Sequence, residues 1–150
     1  MGTKVKVNIF TIGFAQRSAS EFFKKIKEAG VKKVIDIRLN NTSQLAGFTK
    51  KQDLEYFLKQ IGGVDYIHML ELAPNKDILT LYKKKEISWP EYERQFRELL
   101  TKRQIEIIIT PEEIDRACLL CSEAKPDKCH RRLVAEYLSE HWGNVIIQHL

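Results

Sequence analysis

The chain lacks any apolar run near the ~20 residues that span a bilayer. It also lacks a recognisable leader: Met1 to Phe10 interleaves Lys4 and Lys6 with apolar residues and has no small-residue cleavage site. That stretch reads as a first strand, and the two absences predict a cytoplasmic protein with no membrane partner. Cysteine is scarce. Three thiols, an odd number, argue against a disulfide framework in such a chain. Neither a G-x-G-x-x-G fingerprint nor a P-loop is present, so no cofactor is implied. No linker, repeat or low-complexity segment interrupts the pattern, which predicts one domain over residues 1–150.

What is present is a globular balance of 43% hydrophobic and 30% charged residues. The net charge of +5 is unevenly spread: residues 1–50 hold ten Lys/Arg against three Asp/Glu, and the other two thirds are each slightly acidic. Lys24, Lys25, Lys27, Lys32 and Lys33 account for much of the excess. They read first as a solvated helix face and second as a patch for phosphate or nucleic acid. The Lys and Glu content would also suit a thermophile's surface.

Apolar periodicity predicts strands over Val5–Phe10, Val34–Ile37, Val64–His68, Ile105–Ile109, Ala117–Cys121 and Val145–His149. Between them lie amphipathic helices. One is capped by Ser18 and Glu21, with Phe22, Phe23, Ile26 and Ala29 inward and Gly30 at its end. A second is capped by Thr49 and Gln52, with Leu54, Phe57, Leu58 and Ile61 inward and Gly62-Gly63 at its end. A short one runs from Pro74-Asn75 to Tyr82. Another begins at Ser88, with Pro90 in its first turn and Tyr92, Phe96 and Leu99 buried. The last spans Asp127 to Trp142, with Asp127 as N-cap and Gly143 beyond. Only Thr110 to Arg116 separates the strands at 105–109 and 117–121, too short for a parallel crossover of ~12 residues, so these two are not expected to be parallel neighbours. The alternation predicts a three-layer, Rossmann-like α/β sandwich: a mainly parallel sheet with helices on both faces.

In such sheets ligands sit beyond the carboxyl ends of the strands. The first strand end offers Thr11, Gly13 and Arg17; the second, Asp36 and Arg38; the third, His68 and then Glu71. The end of Ala117–Cys121 offers Cys121 and Glu123, and the helix after it begins with Cys129, His130 and Arg131, followed by Arg132. Two thiols, an imidazole, a carboxylate and two guanidinium groups within one short loop and helical turn make this the densest reactive stretch of the chain.

A helix N-terminus stabilises anions. It would also favour a Cys129 thiolate, helped by Arg131 and protonated His130. Asp36 and Arg38 project to one side of a strand, where they pair with each other or serve as base and anion grip. Cys118 and Cys121 have C-x-x-C spacing, but in a strand residues i and i+3 face opposite ways, so Cys118 is read as core and not as half of a redox pair. Cys121, Cys129 and His130, with His68 or Glu123, are conceivable metal ligands. The C-x7-C-H spacing is not a standard zinc pattern, however, and neighbouring helical residues point about 100° apart, so no metal is expected. His68, His141 and His149 read as structural. Trp89 and Tyr92 read as core or a helix staple, not as stacking platforms.

These blocks together resemble the domain of unknown function 488 family. The likeness runs through Thr11-Ile12-Gly13, Arg17, Asp36-Ile37-Arg38, Phe48, Tyr66 and Glu71-Leu72. It ends in Leu119-Leu120-Cys121-Ser122-Glu123 and Cys129-His130-Arg131, the most specific part. The resemblance implies a small soluble prokaryotic protein with a shared polar site and assigns no substrate. Two departures matter. Ala15 stands where the family often has a hydroxyl, so a mechanism needing one there does not carry over. Leu39-Asn40-Asn41-Thr42-Ser43 lacks the Pro that often follows the D-x-R block.

Three functions follow. The first is an enzyme or binding protein for an anionic small molecule, nucleotide- or phosphate-ester-like. There Arg17, Arg38 and Arg131, with Thr11 and Gly13, bind charge, and Cys129, assisted by His130 and Asp36, is the chemical centre, supported by Cys121 and Glu123. The second is a nucleic-acid-associated module using the basic N-terminal half. The third is a redox or zinc-binding protein working through Cys121 and Cys129, whose seven-residue loop could let the two sulfurs meet.

Overall fold

The computed structural model describes residues 6–40, 47–123 and 125–150. Among these residues five strands, all parallel, form one sheet: β1 (Val7–Gly13), β2 (Lys33–Asp36), β3 (Asp65–His68), β4 (Ala117–Cys121) and β5 (Val145–His149), in the order β3-β2-β4-β1-β5. The predicted start of β1 before Lys6 lies outside the described residues, as does the loop Asn41–Ser43. Strand pleating sends alternate residues to opposite faces. Val7, Ile9, Ala117, Leu119 and Cys121 join one core, and Phe10, Ile12, Cys118 and Leu120 join the other. The second core is closed by α1 (Ala19–Ala29) and α2 (Lys51–Gly62). The first is closed by α3 (Lys76–Lys83), α4 (Trp89–Arg103), α5 (Ile105–Ile108), α6 (Pro111–Ile114) and α7 (His130–Trp142). This is the three-layer α/β arrangement that the alternation of periods predicts. No helix among the described residues is long and apolar enough to cross a membrane.

Local chemistry sets the helix ends. Ser18 and Ser88 accept the N–H groups of Glu21 and Glu91 as N-caps, each worth about 1 kcal/mol. Asn75 does the same for Ile78 at α3. Gly30 ends α1 at φ 74°, a left-handed conformation that costs glycine nothing.

Several sequence expectations need correction. Ile105–Ile109 is not a strand. Gln104 turns left-handed at φ 54° and ends α4, and the chain then makes one more helical turn. Ile105 and Ile109 are buried, Ile107 and Ile108 exposed, an i, i+4 pattern that the β-branched composition conceals. The short-crossover difficulty disappears with that strand. α2 is not capped through Thr49 and Gln52: its N-cap is Lys50, without a side-chain cap bond. Of its four expected inward residues only Leu54 and Leu58 are buried; Phe57 and Ile61 are exposed. In α4, Leu100 takes the buried position expected of Leu99. α7 begins at His130, with Cys129 and not Asp127 as N-cap.

The topology positions the site. From β1 the chain crosses through α1 on one face to reach β2; from β4 it crosses through α7 on the other face to reach β5. β1 and β4 are neighbours, so the connections diverge and leave a crevice beyond their carboxyl ends.

Candidate functional site

Arg131 anchors the strand ends. It is fully buried, and its Nε donates to Thr11 Oγ1 at 3.3 Å. Its Nη1 donates to Cys121 Sγ at 3.0 Å and to the Glu123 carbonyl at 2.6 Å. α7 is thereby tied to β1, to β4 and to the loop after it. Burial lowers its pKa to about 10, so it stays charged at neutral pH. Gly13 makes this approach possible: a Cβ there would sit 1.5 Å from the Glu123 carbonyl oxygen and 2.7 Å from Arg131 Nη1. Thr11 Oγ1 also meets His149 Nδ1 at 2.6 Å. Arg17 donates through Nη2 to the Leu150 carbonyl at 2.7 Å, while its buried Nη1 has no partner among the described residues.

Asp36 and Arg38 form the second knot. Arg38 donates Nε and Nη2 to the two Asp36 carboxylate oxygens, each at 2.8 Å, and its backbone N–H to Oδ1 at 3.2 Å. The Tyr66 hydroxyl donates to Oδ2 at 2.6 Å. Asp36 follows Val34 on the α1–α2 side of the pleat, and it is fully buried. Its carboxylate is occupied by Arg38 and Tyr66, so it positions Arg38 and is not placed as a base for Cys129. His68 Nε2 donates to the Arg38 carbonyl at 2.7 Å.

The third group is the thiol corner. Cys121 ends β4 and Cys129 caps α7; both are buried, and they form a disulfide. The odd count of cysteines, read above as evidence against disulfides, leaves Cys118 as the free thiol, buried in the core on the opposite face. Cys129 therefore stands as half of a bond to Cys121 and not as a lone thiolate. One ligating atom each from Cys121, Cys129 and His130 lies within 4.8 Å of the others. His130 Nε2 meets the Ile37 carbonyl at 2.7 Å. A carbonyl only accepts, so Nε2 carries the proton and Nδ1 is left with its lone pair. Desolvation pushes the imidazole down to about 4, opposed in part by the Ile37 carbonyl, so His130 is neutral at pH 7. A neutral imidazole cannot supply the cationic assistance that the sequence reading gave it.

A cavity of about 350 Å³ opens at this corner. Arg38, Cys121, Glu123, Lys128, Cys129 and His130 line it together with Tyr82, Lys83, Trp89 and Tyr92 of α3 and α4. Trp89 and Tyr92 stack at 5.0 Å and 18°. The aromatic wall was not legible as such. Tyr92 is indeed core, at 2% exposure, and its periodic position in α4 gave no hint that this end of the helix borders a crevice. Thr11, Gly13, Arg17, Asp36, Arg131 and Glu71 do not line the cavity. A larger hollow, about 590 Å³, lies between α1 and α2, lined by apolar side chains with Lys24 and Lys27. Lys24, Lys25 and Lys27 are all exposed on α1, on the opposite face of the sheet from α7.

No curated protein and no solved structure matches the chain significantly. A family model does: Domain of unknown function DUF488 matches residues 18–138, from the cap of α1 through most of α7. That span takes in Asp36, Arg38, the thiol corner and the cavity, and the chain belongs to the DUF488 family.

Proposed function

We propose that the cavity at the strand ends binds a small anionic molecule with a planar ring, of the nucleotide or aromatic phosphate-ester class. The observation that carries this reading is its composition: the aromatic residues Tyr82, Trp89 and Tyr92 line the cavity together with Arg38, Lys83 and Lys128 and one carboxylate, Glu123. The volume, about 350 Å³, falls in the range of small-ligand sites. A planar ring gains by stacking on indole or phenol, and the lining cations attract a charged tail. Lys83 and Lys128 are exposed, so their attraction is screened by salt. The guanidinium of Arg38 is held in place by Asp36 before any ligand arrives, which reduces the ordering cost of binding. Arg17 and Arg131 serve as structural ties in this reading and not as anion grips.

Titration with AMP and with inorganic phosphate, followed by tryptophan fluorescence, tests it. Saturable quenching by AMP should vanish in Trp89→Phe, because Trp142 is engaged elsewhere, with Glu106. Affinity should fall as salt rises, and by about tenfold (1.4 kcal/mol) when Lys83 and Lys128 are both changed to Ala. Absence of any Trp89-dependent signal across the four common nucleoside monophosphates would dispose of the reading.

A further inference from the structure

We propose that Cys121, Cys129 and His130 form a binding site for a soft divalent cation, with zinc as the reference ion, available when the two cysteines are reduced and closed when they are joined. One potential ligand atom from each of the three residues, a ring nitrogen in the case of His130, lies within 4.8 Å of the other two. Tetrahedral zinc bound to thiolates at ~2.3 Å holds its sulfurs roughly 3.8 Å apart. The Cα atoms of Cys121 and Cys129 stand 7.4 Å apart, which leaves room for the sulfurs to part by that much without displacing β4 or α7. The combination of soft sulfurs and a neutral imidazole selects zinc-like ions over calcium or magnesium.

The surroundings of the donors are those of a ligand set. Nε2–H of His130 is tied to the Ile37 carbonyl, which fixes the tautomer and leaves Nδ1 as the donor, the outer-shell arrangement that orients metal-bound histidines. Arg131 donates to Cys121 Sγ at 3.0 Å and so favours the thiolate. Two thiolates neutralise a divalent ion; the neighbouring Arg38 is paired with Asp36, whereas the Arg131 guanidinium beside Cys121 stabilises the thiolate and repels the cation. All three donors line the cavity, which gives a fourth position to water or to a bound molecule, as in three-ligand zinc sites.

The redox step balances. A thiol or phosphine reductant gives two electrons to the Cys121–Cys129 bond; with two protons from solvent, two thiols result. The cation then displaces both thiol protons. A small disulfide reverses the change: it takes two electrons from the thiolates and two protons from solvent, becomes two thiols, and the cation leaves as the protein sulfurs rejoin. The site rests on the donor geometry alone, so a cavity that binds no nucleotide leaves it standing.

The test is cobalt(II) titration of the full chain after phosphine reduction. Expected are an equimolar complex with thiolate-to-cobalt charge transfer and tetrahedral d–d bands, both abolished by zinc and by prior oxidation. Cys118→Ser should behave as wild type. Cys121→Ser and Cys129→Ser should each lose charge-transfer intensity and weaken binding beyond the ~10–100-fold typical of losing an outer-shell partner. His130→Ala should keep the charge transfer and shift the d–d bands. Reduced wild-type protein without the charge-transfer band would overturn the proposal, as would an unchanged band in the oxidised protein. The oxidised-against-reduced comparison uses wild-type protein only and stands even if a cysteine variant fails to fold.

Discussion

Arg38 clasps Asp36 through two parallel hydrogen bonds of 2.8 Å, with Asp36 fully buried and Arg38 nearly so. A bidentate, desolvated pair of this kind is expensive to break from one side, because the survivor is left charged and buried. Asp36→Ala should destabilise the protein by about 3–5 kcal/mol in urea unfolding. Asp36→Leu combined with Arg38→Met should recover much of that loss. Tyr66→Phe removes one bond to the same carboxylate and should cost about 1.5–3 kcal/mol. If Asp36→Ala unfolds at the wild-type urea midpoint, the pair is not structural.

Gly13 faces the Glu123 carbonyl so closely that any side chain must push β1 and the loop after β4 apart. Gly13→Ala should therefore destabilise by at least the ~1–3 kcal/mol of an overpacked core. Because the displaced loop carries Glu123 and follows Cys121, the variant should also lose the Trp89 response to AMP. Gly30→Ala is a control: open space surrounds that position, and its cost comes only from φ 74°. Wild-type stability in Gly13→Ala would mean that the loop moves freely.

The sheet and most helices were legible because their signals are local. Ser18, Ser88 and Gly30 mark helix ends through chemistry confined to one turn, and β4 is apolar throughout. Ile105–Ile109 misled because β-branched residues fit a strand by composition, while the deciding fact, the left-handed turn at Gln104, carries no glycine to announce it. The candidate site residues were named by the rule of strand ends, but their division was hidden. Arg131 is spent on Thr11, Cys121 and Glu123, whereas Arg38 reaches the cavity, and only the order β3-β2-β4-β1-β5 decides which residue meets which. Trp89 and Tyr92 were legible as packing residues; that they also wall a cavity depends on where α4 crosses the sheet.

The cysteines should separate by reactivity. Cys118 is fully buried and burial pushes its thiol far up, so it should resist alkylation in the native protein whatever the redox state. After phosphine reduction, Cys121 and Cys129 should alkylate in native buffer and Cys118 only in denaturant. Peptide mass spectrometry of differentially labelled protein reads all three positions. Labelling of native Cys118 at the rate of Cys129 would show that β4 is not the sealed central strand described above.

His130 makes an acid-sensitive joint in the disulfide form. Desolvation lowers its pKa from 6.5 to about 4, so between those values the unfolded chain binds a proton that the folded chain refuses. Stability from this group is complete above pH 6.5, falls as the pH drops towards 4 and levels off below it, a loss on the order of 3 kcal/mol. His149 has its pKa lowered as well, by desolvation and then by Arg131, and adds to the loss in the same direction. His130→Gln can keep a donor to the Ile37 carbonyl without a titrating ring. Chemical denaturation from pH 7 to pH 4 should show a shallower decline for His130→Gln than for wild type, with the remaining slope shared by His149 and the carboxylates. Parallel profiles would mean that His130 takes up its proton as readily in the folded protein as in the unfolded chain.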